Sequence, residues 1–333
     1  MQRARIALLS VALAAVFGVA PDADQATSTA KRAAAAGVTA AGLVGTWTLE
    51  SAEHGVQTRP SRIQNPRGLL VFDNAGHVFE LQTSAGLPPA QPQASTVQAQ
   101  GGTQADALAR FKAYAGFWGA YKVDAAKKTI AYKPEGGVSP AIMGRDLERT
   151  FEIADNKLTI TSAADEPHTE GGARWVWERV PPVENLSPGY RQVVGFWQHV
   201  VEKRINLTTN VTNETRRAPS VIVYSPSGYV GVHFPPLNRQ PFASVEPTEA
   251  EARAALMGFV GYYGALSVYP KMVFHQILAG LSPAAGNTLK RPFELAGSEL
   301  TIKFPVATNQ QGQQTTTWVT LRRLSGAAEM LGR

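Results

Sequence analysis

Cysteine is missing from all 333 residues, which excludes disulfides, a thiol nucleophile and a lipidated N-terminal cysteine at once. Burial alone must hold the chain together. Charged residues make up only 17% of the chain, and the formal excess of +6 is scattered from Arg3 to Arg333 without forming a basic stripe, so no nucleic-acid partner is expected. Catalytic signatures are also missing: the sequence holds no G-x-S-x-G, no phosphate-binding glycine loop and no two histidines at the helical spacing of a metal site. No cofactor and no metal is therefore expected. Long apolar runs are absent after residue 20. Residues 6–20, IALLSVALAAVFGVA, follow Arg3 and Arg5; this run is short for a membrane span and has the basic start of an export signal. The expectation is a signal peptide over 1–20, with an uncleaved anchor as the other reading, then a disordered spacer over 21–42 rich in small residues. Removal of the signal leaves no stable membrane insertion, and the location implied is periplasmic or secreted, in a bacterium.

What the chain does contain, it contains twice. LVGTW at 43–47 returns as VVGFW at 193–197. RGLLVFDNAGHV (67–78) is matched by PSVIVYSPSGYV (219–230), each an apolar run, a turn ending in Gly76 or Gly228, and a second apolar run. This is a hairpin pattern in which glycine supplies positive φ. TQADALARFKAYAGFWG (103–119) and TEAEARAALMGFVGYYG (248–264) each begin with a threonine cap and an acid three residues on, and their apolar residues recur at three- and four-residue spacing. That predicts two amphipathic helices, stopped by Gly119 and Gly264. LERTFEIADNKLTITS (147–162) and LKRPFELAGSELTIKF (289–304) alternate as half-buried strands do, around tight turns at Asp155-Asn156 and Ala296-Gly297. PPVENLSPG (181–189) separates the copies. The pattern predicts a mainly β chain of two tandem antiparallel barrels, each with one amphipathic α-helix, since closure removes the exposed edges of such a sheet. The boundaries expected are 43–180 for the first barrel, 181–190 for a linker, 191–325 for the second barrel and 326–333 for a tail.

These residues resemble the bacterial and fungal lipocalin-like domain family, calycin-type β-barrels, in two tandem copies. The likeness rests on Val44-Gly45-Thr46-Trp47 and Val194-Gly195-Phe196-Trp197, on the glycine-turn hairpin, on RQPFAS (239–244) ahead of the second helix, and on the L-x-R-x-F-E strand before L-T-I. It covers nearly all of 43–324, twice. The resemblance implies that each repeated tryptophan seals the closed end of its own barrel. It leaves function open, because one barrel fold hosts many activities. Relatives carry a His-His-x-Glu-Gly run after the helix; here the first copy keeps Glu135 and the second keeps His275, so neither is intact.

Several residues are candidate ligand contacts. His199, His233 and His275 lie in the second copy only, opposite Leu49, Leu81 and Tyr132 in the first. Strand parity points His199 and His275 inward, while a bulge at Gly231 leaves His233 open. Converging imidazoles could anchor a ligand or act as bases, His199 and His275 being the speculative catalytic pair; three histidines each satisfied by its own neighbours is the plainer expectation. Arg149 and Arg291 match in position. Each either faces a ligand carboxylate inside its barrel or, as is preferred here, stands at the surface ahead of the inward Phe151 or Phe293; Glu135 is a candidate partner for Arg149. Trp118 and Tyr263 are expected in the core, with a ligand pocket where helix meets barrel as the alternative. Asn206, Asn210 and Asn213 open three sequons in a run read as a polar loop. The function expected is an exported protein holding small, mostly hydrophobic molecules in one or both barrels. The alternatives are an enzyme of hydratase, isomerase or cyclase type, since paired lipocalin-like barrels resemble carotenoid hydratases and some cyclases, and a structural or envelope-interaction module.

Overall fold

The computed structural model describes residues 40–84, 104–167, 169, 171–244, 246–282 and 285–332. The apolar segment 6–20 and the proline- and glutamine-rich run 87–102 lie outside them. The described residues build two closed antiparallel barrels of eight strands, as the duplication predicts. In the first, β1 (Gly45–His54), β2 (Arg67–Phe72), β3 (His77–Thr83), β4 (Tyr114–Asp124), β5 (Thr129–Gly137), β6 (Leu147–Ala154), β7 (Lys157–Thr161) and β8 (Ala173–Val180) follow one another round the barrel, and β8 pairs back with β1. The second repeats the plan with β9 (Gly195–Asn206), β10 (Val221–Tyr224), β11 (Tyr229–Phe234), β12 (Val260–Tyr269), β13 (Met272–Ser282), β14 (Thr288–Ala296), β15 (Glu299–Lys303) and β16 (Gln314–Arg323). The register repeats as well: Trp47 pairs with Arg179 and Trp197 with Arg323, and both opening strands carry a bulge, after Leu49 and after His199.

The turns are those the sequence specifies, except that the one expected at Ala296-Gly297 falls one residue later, at Gly297-Ser298, between the paired Ala296 and Glu299. Gly76 and Gly228 sit at φ 92° and 86°, and Asp155-Asn156 take the left-handed pair of a two-residue hairpin at 48° and 62°. The sequon-bearing run is not simply a loop: Val211–Thr215 forms a short strand against Glu202–Asn206 of β9.

The helices are half the predicted length. α2 covers Gln104–Lys112 and α4 covers Glu249–Leu256; numbering counts the single turn α1 at Ala40–Leu43 and α3 at Pro188–Val193. α4 carries the expected capping box between Thr248 and Glu251. Beyond each helix the chain is strand. Gly119 and Gly264 therefore do not end helices: they lie within β4 and β12, where an added Cβ would meet backbone of the neighbouring strand. Tyr114, Phe117 and Trp118 fit a helical repeat on paper, but they pair with β3 and β5 as strand, which sends Phe117 and Trp118 to opposite faces.

Each barrel has its stopper. Trp47 and Trp197 are fully buried and donate Nε1–H to the carbonyls of Leu43 (2.9 Å) and Val193 (2.7 Å), at the ends of α1 and α3. Arg179 lies over the first indole at 4.0 Å and Arg323 over the second at 4.1 Å. Each guanidinium also donates back to the entering chain, Arg179 to the carbonyls of Val44 and Gly42, Arg323 to those of Val194 and Gln192. Gly45 and Gly195 take φ 132° and 135° at this crossing. A Cβ at Gly45 would lie 2.9 Å from Arg179 Nη1, whereas one at Gly195 would meet the backbone of Ser325, so each glycine admits a close approach as well as the bend.

The two barrels belong to one compact unit; the second barrel's core continues onto the outer face of the first, whose interior forms a cluster of its own. Phe79 of β3 stacks on His233 of β11 at 4.6 Å, Trp118 donates to the carbonyl of Pro219 at 3.1 Å, and Arg110 of α2 donates to that of Leu281 at 2.8 Å. α2 and α4 pack against each other across the same junction. β11 runs without a bulge at Gly231, contrary to expectation. The residue is glycine because Phe79 of the other barrel occupies the space, with its ring edge 2.5 Å from where a Cβ would stand.

Candidate functional site

The barrel interiors hold different chemistry. In the first, a cavity of about 660 Å³ is lined by apolar groups including Phe117, Ile142, Leu147 and Trp175, together with Glu80, Gln82, Arg149 and Glu166. Neither this cavity nor the one in the second barrel is lined by the stopper tryptophans. Arg149 is therefore inside, not at the surface ahead of Phe151. On β6 it alternates with outward-facing Glu148 and Thr150, and its side chain is 5% exposed. It donates Nη1–H to both oxygens of Glu80 (3.1 and 2.9 Å) and Nε–H and Nη2–H to Glu166 (3.1 and 2.7 Å to Oε1). Trp175, Tyr132 and Phe117 surround the guanidinium at 4.6, 5.2 and 5.7 Å. Burial alone would lower the arginine's pKa, but Glu166 and Glu80 outweigh it and hold the charge more firmly than usual. Glu135, the partner expected from sequence, is exposed and makes no ion pair with Arg149; Glu80 and Glu166 take that role. Gln82 Nε2 also donates to Glu80 at 2.7 Å. With two carboxylates about one guanidinium the cluster carries one negative charge in excess. The indole N–H of Trp175 and the hydroxyl of Tyr132 are buried beside it without a partner among the described residues.

The second barrel encloses about 250 Å³, lined by Ile222, Val232, Phe234, Tyr262, His275, Leu289 and Arg291 among others. His275 is held at both ring nitrogens, Nε2 3.2 Å from the hydroxyl of Tyr224 and Nδ1 2.9 Å from that of Tyr262. Burial, with Arg291 adding repulsion, lowers its pKa to about 3, so the ring is neutral. Arg291 also points inward, over the ring of Phe304 at 4.1 Å.

The three histidines do not meet. His275 is inside the second barrel. His233 lies on the opposite face of its strand from the cavity-lining Val232 and Phe234, packed on the first barrel, where its Nε2 donates to the carbonyl of Glu80 at 3.1 Å. That contact fixes the tautomer and leaves Nδ1 buried without a partner among the described residues. Burial lowers its pKa to about 3. His199 stands edge-on to Phe234 at 5.5 Å, its pKa lowered to about 4 by burial and then by Arg217. Trp118 and Tyr263 serve the junction between barrels. The phenol of Tyr263 is pushed up to about 12 by burial, against the pull of Arg67 from the first barrel.

Sequence reasoning missed Glu80, Gln82, Glu166, Trp175 and Tyr224. For Glu80 and Gln82 a signal exists in VFELQ (78–82): two polar residues at strand spacing, with apolar neighbours on the other face. Among the described residues no group of three or more His, Asp or Glu side chains is placed to hold a metal ion, and no helix is long and apolar enough to cross a membrane.

A family model described as a lipocalin-like domain matches residues 44–180 and again 206–324. No curated protein matches the sequence. Among solved structures, the vaccine antigen transferrin binding protein B of Haemophilus parasuis is 6% identical with a TM-score of 0.20, over 80% of this chain and 62% of its own. A bifunctional dehydratase-cyclase domain of ambruticin biosynthesis is 13% identical with a TM-score of 0.12, over 92% of this chain and 83% of its own. This chain thus spans under two thirds of the transferrin binding protein's length, and at TM-scores this low neither likeness carries an inference.

Proposed function

Because the chain belongs to the lipocalin-like domain family, we propose that it binds a small, mostly apolar molecule inside the first barrel, and that the molecule presents a hydrogen-bond donor or a positive charge to Glu80 and Glu166. One observation carries this reading: the cavity of about 660 Å³ in which a buried carboxylate–guanidinium–carboxylate cluster, formally one negative charge in excess, lies among apolar groups such as Phe117, Ile142, Leu147 and Trp175, while Arg59 and the Lys112–Glu246 pair complete the charged part of the lining. A cavity of this size and composition is typical of small-molecule sites. A purely structural barrel gains nothing from desolvating three charges, since a well-packed apolar replacement is as stable or more so. Glu80 and Glu166 each keep acceptor capacity beyond what Arg149 uses. We also propose export as the route by which the protein meets its ligand, on the basic start and apolar run of residues 3–20.

The experiment is a thermal-shift and Trp-fluorescence screen of the full chain against apolar amines, alcohols and acids of matched size. Amines and alcohols should raise the melting temperature and perturb Trp175, and Glu80→Gln should weaken the amines most. Indifference to the amines and alcohols, whatever the acids do, with native mass spectrometry finding no molecule retained in the first barrel, overturns the reading.

A further inference from the structure

Arg149 and Arg291 occupy one position in the duplicated plan, and the strand registers make the equivalence firm. Arg149 pairs with Ile130 on β5, Arg291 with Val273 on β13. In the first barrel the arginine is neutralised by Glu80 and Glu166. The position of Glu80 is Val232 in the second barrel, because Leu81 pairs with Leu69 as His233 pairs with Val221. The segment 162–172 that supplies Glu166 is replaced by 304–313, FPVATNQQGQ, which contains no acid. Trp175 is replaced by Val319, as shown by their partners Ala52 and Glu202 on the opening strands.

Arg291 thus keeps its place and loses every acidic partner. Its hydrogen bond runs to the carbonyl of Lys290 at 3.2 Å, and among the described residues no carboxylate lies within salt-bridge distance. The acid lining this cavity, Glu202, is already held by Arg217 at 3.0 Å and Arg204 at 3.5 Å. Arg291 is half-buried in a largely apolar cavity, so its charge is partly desolvated without a counter-ion, and a bound anion offsets that cost.

Tyr262 adds a donor. A neutral imidazole has one N–H and one lone pair, so of its two phenol partners one donates to the ring and the other accepts from it. Tyr262 lines the cavity and Tyr224 does not. With Tyr224 donating to Nε2 and Nδ1–H donating to Tyr262, the hydroxyl proton of Tyr262 is free to point at an anion beside Arg291.

We infer that the second barrel is a separate site for a small monocarboxylate with a short apolar chain, its carboxylate held by Arg291 and Tyr262 and its chain lying against Ile222, Val232 and Leu289. At roughly 30 Å³ per water-sized unit, the 250 Å³ present accommodates a six-carbon acid of about eight non-hydrogen atoms.

The test is isothermal titration of the full chain with hexanoate, hexanol and hexylamine, with carboxyl-labelled hexanoate followed by NMR. Hexanoate is expected to bind saturably and at least tenfold more tightly than hexanol or hexylamine. Arg291→Gln should weaken hexanoate about ten- to hundredfold, the range for hydrogen bonds to a charged group. Tyr262→Phe, which keeps the ring, should weaken it a fewfold and keeps the test open if Arg291→Gln fails to fold. Glu80→Gln, in the other barrel, should leave hexanoate binding unchanged, so the two sites can fail independently. Hexanol matching hexanoate, affinity within twofold of wild type in Arg291→Gln or Tyr262→Phe, or no saturable binding at all overturns the inference.

Discussion

Arg149 shows how much depends on a single buried charge. Replacing it with methionine keeps most of the volume but leaves Glu80 and Glu166 facing each other in the barrel without a cation. Loss of one partner from a buried ionic cluster costs about 3–5 kcal/mol, so Arg149→Met should destabilise the chain by that amount in urea unfolding. The double replacement of Glu80 and Glu166 by glutamine in the Arg149→Met background should recover much of the loss. A cost for the single replacement below about 1 kcal/mol, the value typical of an exposed pair, would mean that water reaches the cluster. The matching positions of Arg149 and Arg291 are legible in LERTFE and LKRPFE, and so is an inward direction, although the surface was expected. Parity counted from Phe151 gives it, since Arg149 is two residues away on the same face of β6. The expectation that arginine seeks water prevailed because its acids come from distant segments, β3 and the turn before β8, that only closure of the barrel brings near.

At the scale of single elements the duplication was readable wherever both copies obey one local rule. The hairpin glycines, the capping box of α4 and the entry glycine before each tryptophan all stand where the pattern puts them. The helix-to-strand switch at Lys112 and Leu256 was not readable, because runs such as YAGFW offer apolar residues at both two- and three-residue spacing. Parity also misleads on β3 and β11, whose outer faces are as buried as their inner ones: Phe79 and Leu81 look core-facing and pack on the neighbouring barrel. The tryptophan stoppers give a prediction at this scale. Trp47 and Trp197 have the same carbonyl partner four residues back and the same stacked arginine. Trp47→Ala and Trp197→Ala should therefore each cost about 3–5 kcal/mol in denaturant unfolding, and the two values should agree within about 1 kcal/mol. A much smaller cost at one site would show that its barrel end closes without the indole.

For the whole molecule the question is whether the barrels unfold as one body, and His233 offers a means of asking it. Its ring is enclosed by Phe79 and Tyr114 of the first barrel and Phe259 of the second, with the Glu80 carbonyl on Nε2 and no partner on Nδ1 among the described residues. Protonation would place a charge in that setting, which is why burial lowers its pKa to about 3, as burial does for His275 inside the second barrel. Both folded values lie below the 6.5 of a free histidine. Below pH 6.5 the unfolded chain binds more protons than the folded one, and stability falls with acidification until the folded values are reached. Each histidine should remove about 2–3 kcal/mol between pH 7.5 and 4.5. His233→Leu installs the residue that the first copy carries at this position, Leu81, and should reduce the acid loss by one histidine's share, measured by urea unfolding at the two pH values. Because the second barrel's core extends across the junction to Leu69, Phe79 and Leu81 on the outer face of the first, that reduction should appear in one transition common to both barrels. Two transitions, with only one sensitive to His233, would show that the barrels fold separately and meet afterwards. An unchanged acid loss in His233→Leu would mean that the junction opens to water before the histidine is protonated.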